Sequence, residues 1–176
     1  MITTKKYDII YADPPWKYND KSCAGNAAQH YSTMSLKDIC GLPVKDLASD
    51  NCALFLWATY PTLPDAFEVI KAWGFNYRTL AFQWVKLNRS GQGFFFGIGH
   101  WTRSNSEACL LAVKGKPQRV DNSISQLVVS PLQRHSQKPA EVRDKIVRLV
   151  GDRPRIELFA REKVEGWDCW GNEVQE

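Results

Sequence analysis

The sequence predicts an α/β fold, in which a mostly parallel β-sheet is flanked by helices. Residues 7–12 and 52–58 are near-continuous apolar runs, which is typical of strands covered on both faces. Residues 61–73 carry apolar side chains at helical spacing, and residues 75–86 form another strand-like run. Strands that alternate with helices along the chain favour parallel strands joined by right-handed crossovers.

The size and composition suit one globular domain. The chain has 176 residues, of which 44% are apolar and 24% charged, so we expect a single domain over residues 1–176. The net charge of +4 is compatible with a polyanionic partner. No signal peptide or membrane-spanning run is recognisable, so we expect no membrane association. Five cysteines without a Cys-x-x-Cys pair predict reduced thiols, no metal site and a cytoplasmic location.

The other predicted elements follow in chain order. Residues 17–34 are polar and lack a hydrophobic period, which predicts a long loop. Ser35 is a typical N-cap for a short helix over residues 36–40, which Gly41 ends. Further strands are predicted over residues 107–113, 127–129 and 155–160, and a further helix is predicted over residues 140–150.

A glycine-rich segment over residues 87–105 interrupts this pattern. Its glycines surround Phe94, Phe95 and Phe96. A dinucleotide-binding loop is excluded, because no strand-to-helix junction flanks the glycines and the intervening residues are bulky. The segment favours a loop whose aromatic and basic side chains contact nucleic acid. The alternative is a hairpin whose aromatic side chains fill the core.

The strongest functional signal is Asp13-Pro14-Pro15-Trp16, directly after the first strand. Each proline fixes φ and lacks an N–H, so the Asp13 carboxylate and the Pro14 carbonyl can converge in a cleft. Together they would accept hydrogen bonds from an exocyclic amino group. Trp16 offers a flat face for a planar base. The alternative is a cis-proline turn with Trp16 packed in the core.

The motif resembles the catalytic signature of the amino-methyltransferases, and its Trp-ending form is similar to the MT-A70 family of adenine-N6 methyltransferases. The resemblance runs from about Tyr7 to Glu173. It implies a Rossmann-like methyltransferase fold with a permuted order, in which the catalytic motif precedes the cofactor strand. It also implies methyl transfer from S-adenosylmethionine to N6 of adenine in nucleic acid. We expect DNA rather than RNA, because no RNA-binding module such as a zinc finger is recognisable in the sequence. An RNA or cytosine-N4 substrate, a non-catalytic subunit, and a homodimer or partner subunit remain alternatives.

The resemblance also assigns site residues. The catalytic set is Asp13, Pro14, Pro15 and Trp16. The substrate-binding set is Tyr31, His100, Trp101, Arg103 and Glu107, although Tyr31 equally suits a packing role. The cofactor-binding set is Asp13, Lys138, Glu157, Phe159, Arg161 and Asn172. In the family pattern the lysine contacts the methionine carboxylate, while the glutamate and arginine hold the ribose and neighbouring groups.

Two positions depart from the family pattern, and their roles stay open. Gln137 replaces the usual histidine, and Glu173 replaces the usual amide. Nucleic-acid affinity is expected to come largely from basic side chains that meet phosphates, namely Lys86, Arg89, Arg103 and Lys114.

Overall fold

The computed structural model describes residues 4–17, 33–99, 101–134 and 137–172. They form a seven-stranded sheet in the order β5-β3-β4-β2-β1-β6-β7. The strands are β1 (Tyr7–Ala12), β2 (Ala48–Ala58), β3 (Asn76–Leu87), β4 (Ser106–Lys114), β5 (Leu127–Pro131), β6 (Arg155–Leu158) and β7 (Asp168–Trp170). Strand β4 is antiparallel to both of its neighbours. Every other pairing in the sheet is parallel.

Helices cover both faces of the sheet. They are α1 (Leu36–Cys40), α2 (Val44–Leu47), α3 (Leu63–Ala72), which follows a 3₁₀ turn at Tyr60–Thr62, and α4 (Glu141–Val150). On β2, Leu54 and Leu56 belong to the core cluster that contains α1 and α3. Phe55 and Trp57 face the opposite way, into the cluster that contains α4. Because successive side chains enter different cores, β2 is apolar at every position from Cys52 to Ala58.

The α/β prediction is confirmed, with some differences in detail. The short helix α1 begins at the predicted cap, where the Ser35 hydroxyl accepts a hydrogen bond from the Asp38 backbone N–H at 3.2 Å. The antiparallel direction of β4 was not predicted, because an apolar pattern is the same for either direction. The predicted strand over 155–160 ends at Leu158, since Phe159 has a positive φ of 62°.

The segment between β3 and β4, which we call the aromatic loop (residues 88–105), does not fill the core. Phe94, Phe96, Ile98 and Trp101 are all exposed. The hairpin alternative with core aromatic side chains is therefore wrong for Phe94, Phe96 and Trp101.

None of the helices within the described ranges is long and apolar enough to cross a membrane.

Candidate active site

The topology brings several charged side chains to one edge of the sheet. Asp13 directly follows β1, and Lys86 lies at the end of β3. Glu107 lies at the start of β4, which reaches the same edge because β4 runs in the opposite direction. In open α/β sheets, ligands bind beyond the carboxyl ends of the parallel strands. This edge is therefore the candidate site.

Four of these side chains form a network of alternating sign, which we call the charged cluster (Asp13, Lys86, Glu107 and Lys138). The Lys138 Nζ lies 2.8 Å from Asp13 Oδ2 and 3.5 Å from Glu107 Oε2. The Lys86 Nζ lies 3.2 Å from Glu107 Oε1. All four side chains are largely buried, with at most 23% of the side chain exposed. Each carboxylate is thus paired with an ammonium group away from bulk water.

The network sets the proton affinities of its members. Burial raises the pKa of Asp13, and the Lys138 ammonium offsets part of that rise. Burial also acts to raise the pKa of Glu107, but Lys138 and Lys86 outweigh it and hold the pKa below the ordinary value. Burial disfavours the charged form of Lys138, yet the two carboxylates raise its pKa. Lys138 is therefore the main group that compensates the desolvation of Asp13.

Two tryptophan rings support the lysines of the charged cluster. The Lys138 Nζ lies 5.6 Å from the centroid of the Trp57 ring, and the Lys86 Nζ lies 4.9 Å from that of Trp84. Both rings are buried, so each ammonium lies over a fixed aromatic face.

The two prolines form a tight trans turn. The Pro14 carbonyl accepts a hydrogen bond from the Trp16 N–H at 2.9 Å, and the Pro15 carbonyl accepts one from the Met34 N–H at 3.0 Å. The described residues contain no cis peptide bond, so the cis-proline alternative is wrong. The turn fixes the direction of the Pro14 carbonyl, which retains one lone pair for a ligand.

Trp16 packs as an anchor beneath the motif. Its side chain is only 7% exposed and belongs to the core cluster on the α1 and α3 side. Its indole N–H donates to the Trp57 carbonyl at 3.0 Å, and the Trp57 indole donates to the Tyr11 hydroxyl at 2.7 Å. The expectation of a freely available stacking face is corrected accordingly, and the core-packing alternative describes Trp16 better.

Glu157 has a partner that the sequence did not reveal. Arg143 of α4 donates from Nε to Glu157 Oε2 at 2.7 Å and from Nη2 to Oε1 at 3.0 Å. Burial raises the pKa of Glu157, and this bidentate pair offsets part of the effect. Arg143 was missed because a basic residue in an amphipathic helix is usually solvated. A ligand at Glu157 would therefore share the carboxylate with Arg143.

The ends of β6 and β7 approach each other closely. Phe159 combines its positive φ with an edge-to-face contact to Trp170, with ring centroids 5.4 Å apart. The Ala160 N–H donates to the Trp170 carbonyl at 3.0 Å. A Cβ atom at Gly171 would overlap the Ala160 carbonyl oxygen, so the approach requires glycine. Backbone strain of this kind, just beyond a strand end, is common at ligand sites.

The other predicted site residues differ in how clearly the structure connects them to the cluster. Arg161 is partly buried and lowers the pKa of Asp13, so its charge acts on the cluster. Asn172 is exposed after β7, and Trp101 and Arg103 are exposed in the aromatic loop. Tyr31 and His100 lie outside the described residues.

Two of the four lysines and arginines predicted to meet phosphates have other partners. Lys86 belongs to the charged cluster. Lys114 lies at the carboxyl end of the antiparallel β4, at the opposite edge of the sheet, where it donates to the Ala48 carbonyl at 3.2 Å. Arg89 and Arg103 are exposed, and they remain candidates for phosphate contact.

Comparison with known proteins gives a consistent result. The MT-A70 family model matches residues 7–173. The type II methyltransferase M.MunI of Mycoplasma sp is 35% identical over 194 residues, which cover 99% of this chain and 80% of that protein. The N(6)-adenosine-methyltransferase catalytic subunit METTL3 of Homo sapiens is 31% identical over 173 residues, which cover 96% of this chain and 28% of that protein.

For a plant relative, too, the match covers nearly all of this chain but only a small part of the relative. The N(6)-adenosine-methyltransferase MT-A70-like protein of Arabidopsis thaliana is 29% identical over 171 residues, which cover 96% of this chain and 24% of that protein. The chain thus spans about a quarter of these two eukaryotic relatives. The family match covers nearly the whole chain and confirms the resemblance found in the sequence. The protein belongs to the MT-A70 family.

Proposed function

We propose that the protein transfers a methyl group from S-adenosylmethionine to N6 of adenine in a nucleic acid, with DNA the favoured substrate. The observation that carries this proposal is the position of Asp13. In a chain of the MT-A70 family, its carboxylate lies at the ligand-binding edge of the sheet, beside Lys138 and next to a carbonyl fixed by two trans prolines.

The acceptor amine would be held by two oxygen atoms. The adenine amino nitrogen is a poor nucleophile because its lone pair is delocalised into the ring. Hydrogen bonds from its two N–H groups to the Asp13 carboxylate and the Pro14 carbonyl favour a tetrahedral nitrogen with a localised lone pair. The Pro14 carbonyl is already oriented by the Trp16 N–H, so the pair of acceptors is preorganised.

S-adenosylmethionine, when bound, supplies an electrophilic methyl group on a sulfonium. Transfer of that methyl group to the N6 lone pair would break the C–S bond and leave its electrons on sulfur, while Asp13 and the Pro14 carbonyl would hold the amine. N6 then loses one proton. Asp13, whose pKa burial raises, can hold that proton until water takes it.

The residues present fit this methyl donor. Lys138 and Arg161 are cations near Asp13 and suit the donor's carboxylate. Glu157 lies near the carboxyl end of β6, and its carboxylate suits the ribose hydroxyls. Glu107 Oε2 is buried, and its partner Lys138 Nζ lies 3.5 Å away, at the limit of a hydrogen bond, so this oxygen retains capacity to accept from an N–H group of substrate or donor.

DNA is the favoured substrate because of the share of each relative's length that the match covers. The match spans most of the Mycoplasma type II methyltransferase but about a quarter of the two eukaryotic N(6)-adenosine methyltransferases. The role of a non-catalytic subunit is disfavoured, because Asp13 and its network are complete. We place the protein in the cytoplasm, and a homodimer or a partner subunit is compatible with this function.

A labelled-methyl assay tests the proposal. The protein would be incubated with methyl-labelled S-adenosylmethionine and with DNA or RNA oligonucleotides that contain adenine, cytosine or both. We expect label in N6-methyl-2′-deoxyadenosine from the adenine-containing DNA, and none with Asp13→Ala. Label confined to RNA would reverse the DNA preference. Label in cytosine, or in neither base at high enzyme concentration, would contradict the proposed function.

A further inference from the structure

Backbone hydrogen bonds hold the base of the aromatic loop against the end of β3, beside the charged cluster. The Lys86 N–H donates to the Asn105 carbonyl at 2.9 Å, and the Lys86 carbonyl accepts from the Phe95 N–H at 2.9 Å. The Gly97 N–H donates to the Ser104 carbonyl at 2.8 Å, which closes the excursion to which residues 98–99 and 101–103 belong. Since the Lys86 side chain pairs with Glu107, the base of this excursion adjoins the site that contains Asp13.

Glycines make the excursion narrow. A Cβ atom at Gly97 would lie 2.7 Å from the Ser104 carbonyl oxygen, which is closer than such atoms pack. A Cβ atom at Gly99 would overlap the Thr102 carbonyl oxygen. Around Gly97 and Gly99 the two sides of the excursion therefore approach too closely for any residue with a Cβ atom, and we refer to the exposed part beyond them as the projection.

The tip of this projection presents apolar groups to solvent. The Trp101 side chain is 100% exposed, and Ile98 is 82% exposed. No Asp or Glu occurs between residues 88 and 105, whereas Arg89 and Arg103 are exposed there. Apolar groups flanked by cations and free of carboxylates match the chemistry of stacked bases between phosphates.

We propose that Trp101 is a wedge that enters the base stack of a duplex beside the target adenine. There it fills the space the adenine leaves and allows the adenine to reach Asp13. This inference rests on the proposed function and deepens it, because it names double-stranded nucleic acid as a substrate that the chain itself can open. A single strand has no stack opposite the target base that must be held open, so it would not need the wedge.

Trp101→Ala with matched single- and double-stranded oligonucleotides tests the wedge. Because the gap left in the stack by the extruded adenine would then stay unfilled, we expect kcat/KM on the duplex to fall by roughly tenfold or more. On the single strand we expect a clearly smaller fall, since no stack around the target base has to be held open there. Tyr77→Ala is the control, because Tyr77 is an exposed aromatic residue at the start of β3, at the opposite edge. It should leave both rates unchanged.

A second readout does not depend on turnover. When the wild-type protein binds a duplex with 2-aminopurine at the target position, the fluorescence of this base should increase, because the base leaves the stack. Trp101→Ala should lose most of that increase, and Trp101→Phe should keep part of it. An equal loss of rate on both strand forms, or an undiminished increase for Trp101→Ala, would overturn the wedge.

Two further outcomes can be distinguished: a protein interface at Trp101, and failure of the proposed methyl transfer. A sedimentation coefficient that falls in Trp101→Ala without nucleic acid would assign the tip to a protein interface and would also overturn the wedge. Absence of wild-type methylation on every oligonucleotide would contradict the proposed function, while the 2-aminopurine signal would still decide the wedge.

Discussion

Lys138 occupies a more central position than its predicted role in cofactor binding implied. Its ammonium joins Asp13 to Glu107, so the carboxylate of a bound methyl donor would have to share it with the acid that holds the acceptor amine. A substitution at Lys138 should therefore lower both turnover and cofactor affinity. Asp13 and Glu157, which lie on different strand ends with different partners, are better suited to separate the two functions.

Separation of the acceptor and donor sites is the first prediction. Asp13→Ala should abolish methyl transfer and leave S-adenosylmethionine affinity within a few-fold, because Asp13 is assigned mainly to the amine. Glu157→Gln, which still accepts a hydrogen bond from Arg143, should weaken cofactor binding by about 1–3 kcal/mol. Calorimetric titration with the cofactor beside a turnover assay measures both quantities. Full turnover by Asp13→Ala, or normal cofactor affinity of Glu157→Gln, would show that the assignments are wrong.

The pH dependence of turnover should depend on the neighbours of Asp13. We expect the acidic limb of kcat to report ionisation of Asp13, since only the carboxylate accepts hydrogen bonds at both oxygens. Lys138 lowers the pKa of Asp13 and Glu107 raises it. Lys138→Met should therefore move the acidic limb to higher pH, and Glu107→Gln should move it to lower pH.

The measurement is kcat against pH at saturating donor, so that weaker cofactor binding does not enter. Tyr77→Ala serves as the control variant, and its profile should coincide with that of the wild type. If the acidic limb moved in the same direction in both charged-cluster variants, ionisation of a group other than Asp13 would determine it.

At the scale of elements, β1 and β2 are joined by more than their ladder. The Trp16 indole donates to the Trp57 carbonyl, and the Trp57 indole donates to the Tyr11 hydroxyl. This chain of hydrogen bonds lies between the two strands that position the Asp-Pro-Pro-Trp turn. It is buried, so each donor depends on its single partner.

Tyr11→Phe should destabilise the fold by about 1–3 kcal/mol, because the buried Trp57 N–H would lose its acceptor. Chemical denaturation of the wild type and the variant gives the free energy of unfolding of each. Tyr77→Phe, an exposed position, should change it by no more than about 0.5 kcal/mol. Equal stability of Tyr11→Phe and the wild type would mean that Trp57 finds another acceptor.

The sequence predicted those elements whose local signals were strong. The Ser35 cap and the periodic helix α4 carry their own patterns, and both were predicted nearly to the residue. Strand β7 has three residues and no alternation, so nothing local distinguished it from a tail. The Arg143–Glu157 pair joins a helix to a strand, and such a contact depends on how α4 packs on the sheet. The direction of β4 likewise depends on tertiary pairing.

For the whole molecule, the distribution of basic residues matters more than the net charge. Lys86 and Lys114 have partners within the fold, and Lys114 lies at the edge away from the site. Arg89 and Arg103 are exposed on the aromatic loop. Only part of the basic content is thus available at the site edge to neutralise phosphates.

The salt dependence of nucleic-acid binding should reflect this distribution. Each phosphate contact contributes about 0.9 to the slope of log affinity against log salt for B-form DNA, so Arg89→Met and Arg103→Met should each reduce the slope by about 1. Lys114→Met should leave it unchanged. Fluorescence anisotropy over a salt series measures the slopes. A reduced slope for Lys114→Met, or unchanged slopes for both arginine variants, would contradict this assignment of the binding surface.

The central position of β1 has a consequence for synthesis of the protein. Ile9 pairs with Ala53 of β2 on one side and with Arg155 of β6 on the other. While the ribosome still holds the chain short of β6, one edge of β1 has no partner, and such an edge invites association with other chains. A nascent chain of about 150 residues would already contain the whole charged cluster but not the strand that carries Glu157. The proposed donor site would therefore be completed late, and chains terminated before β6 would be inactive.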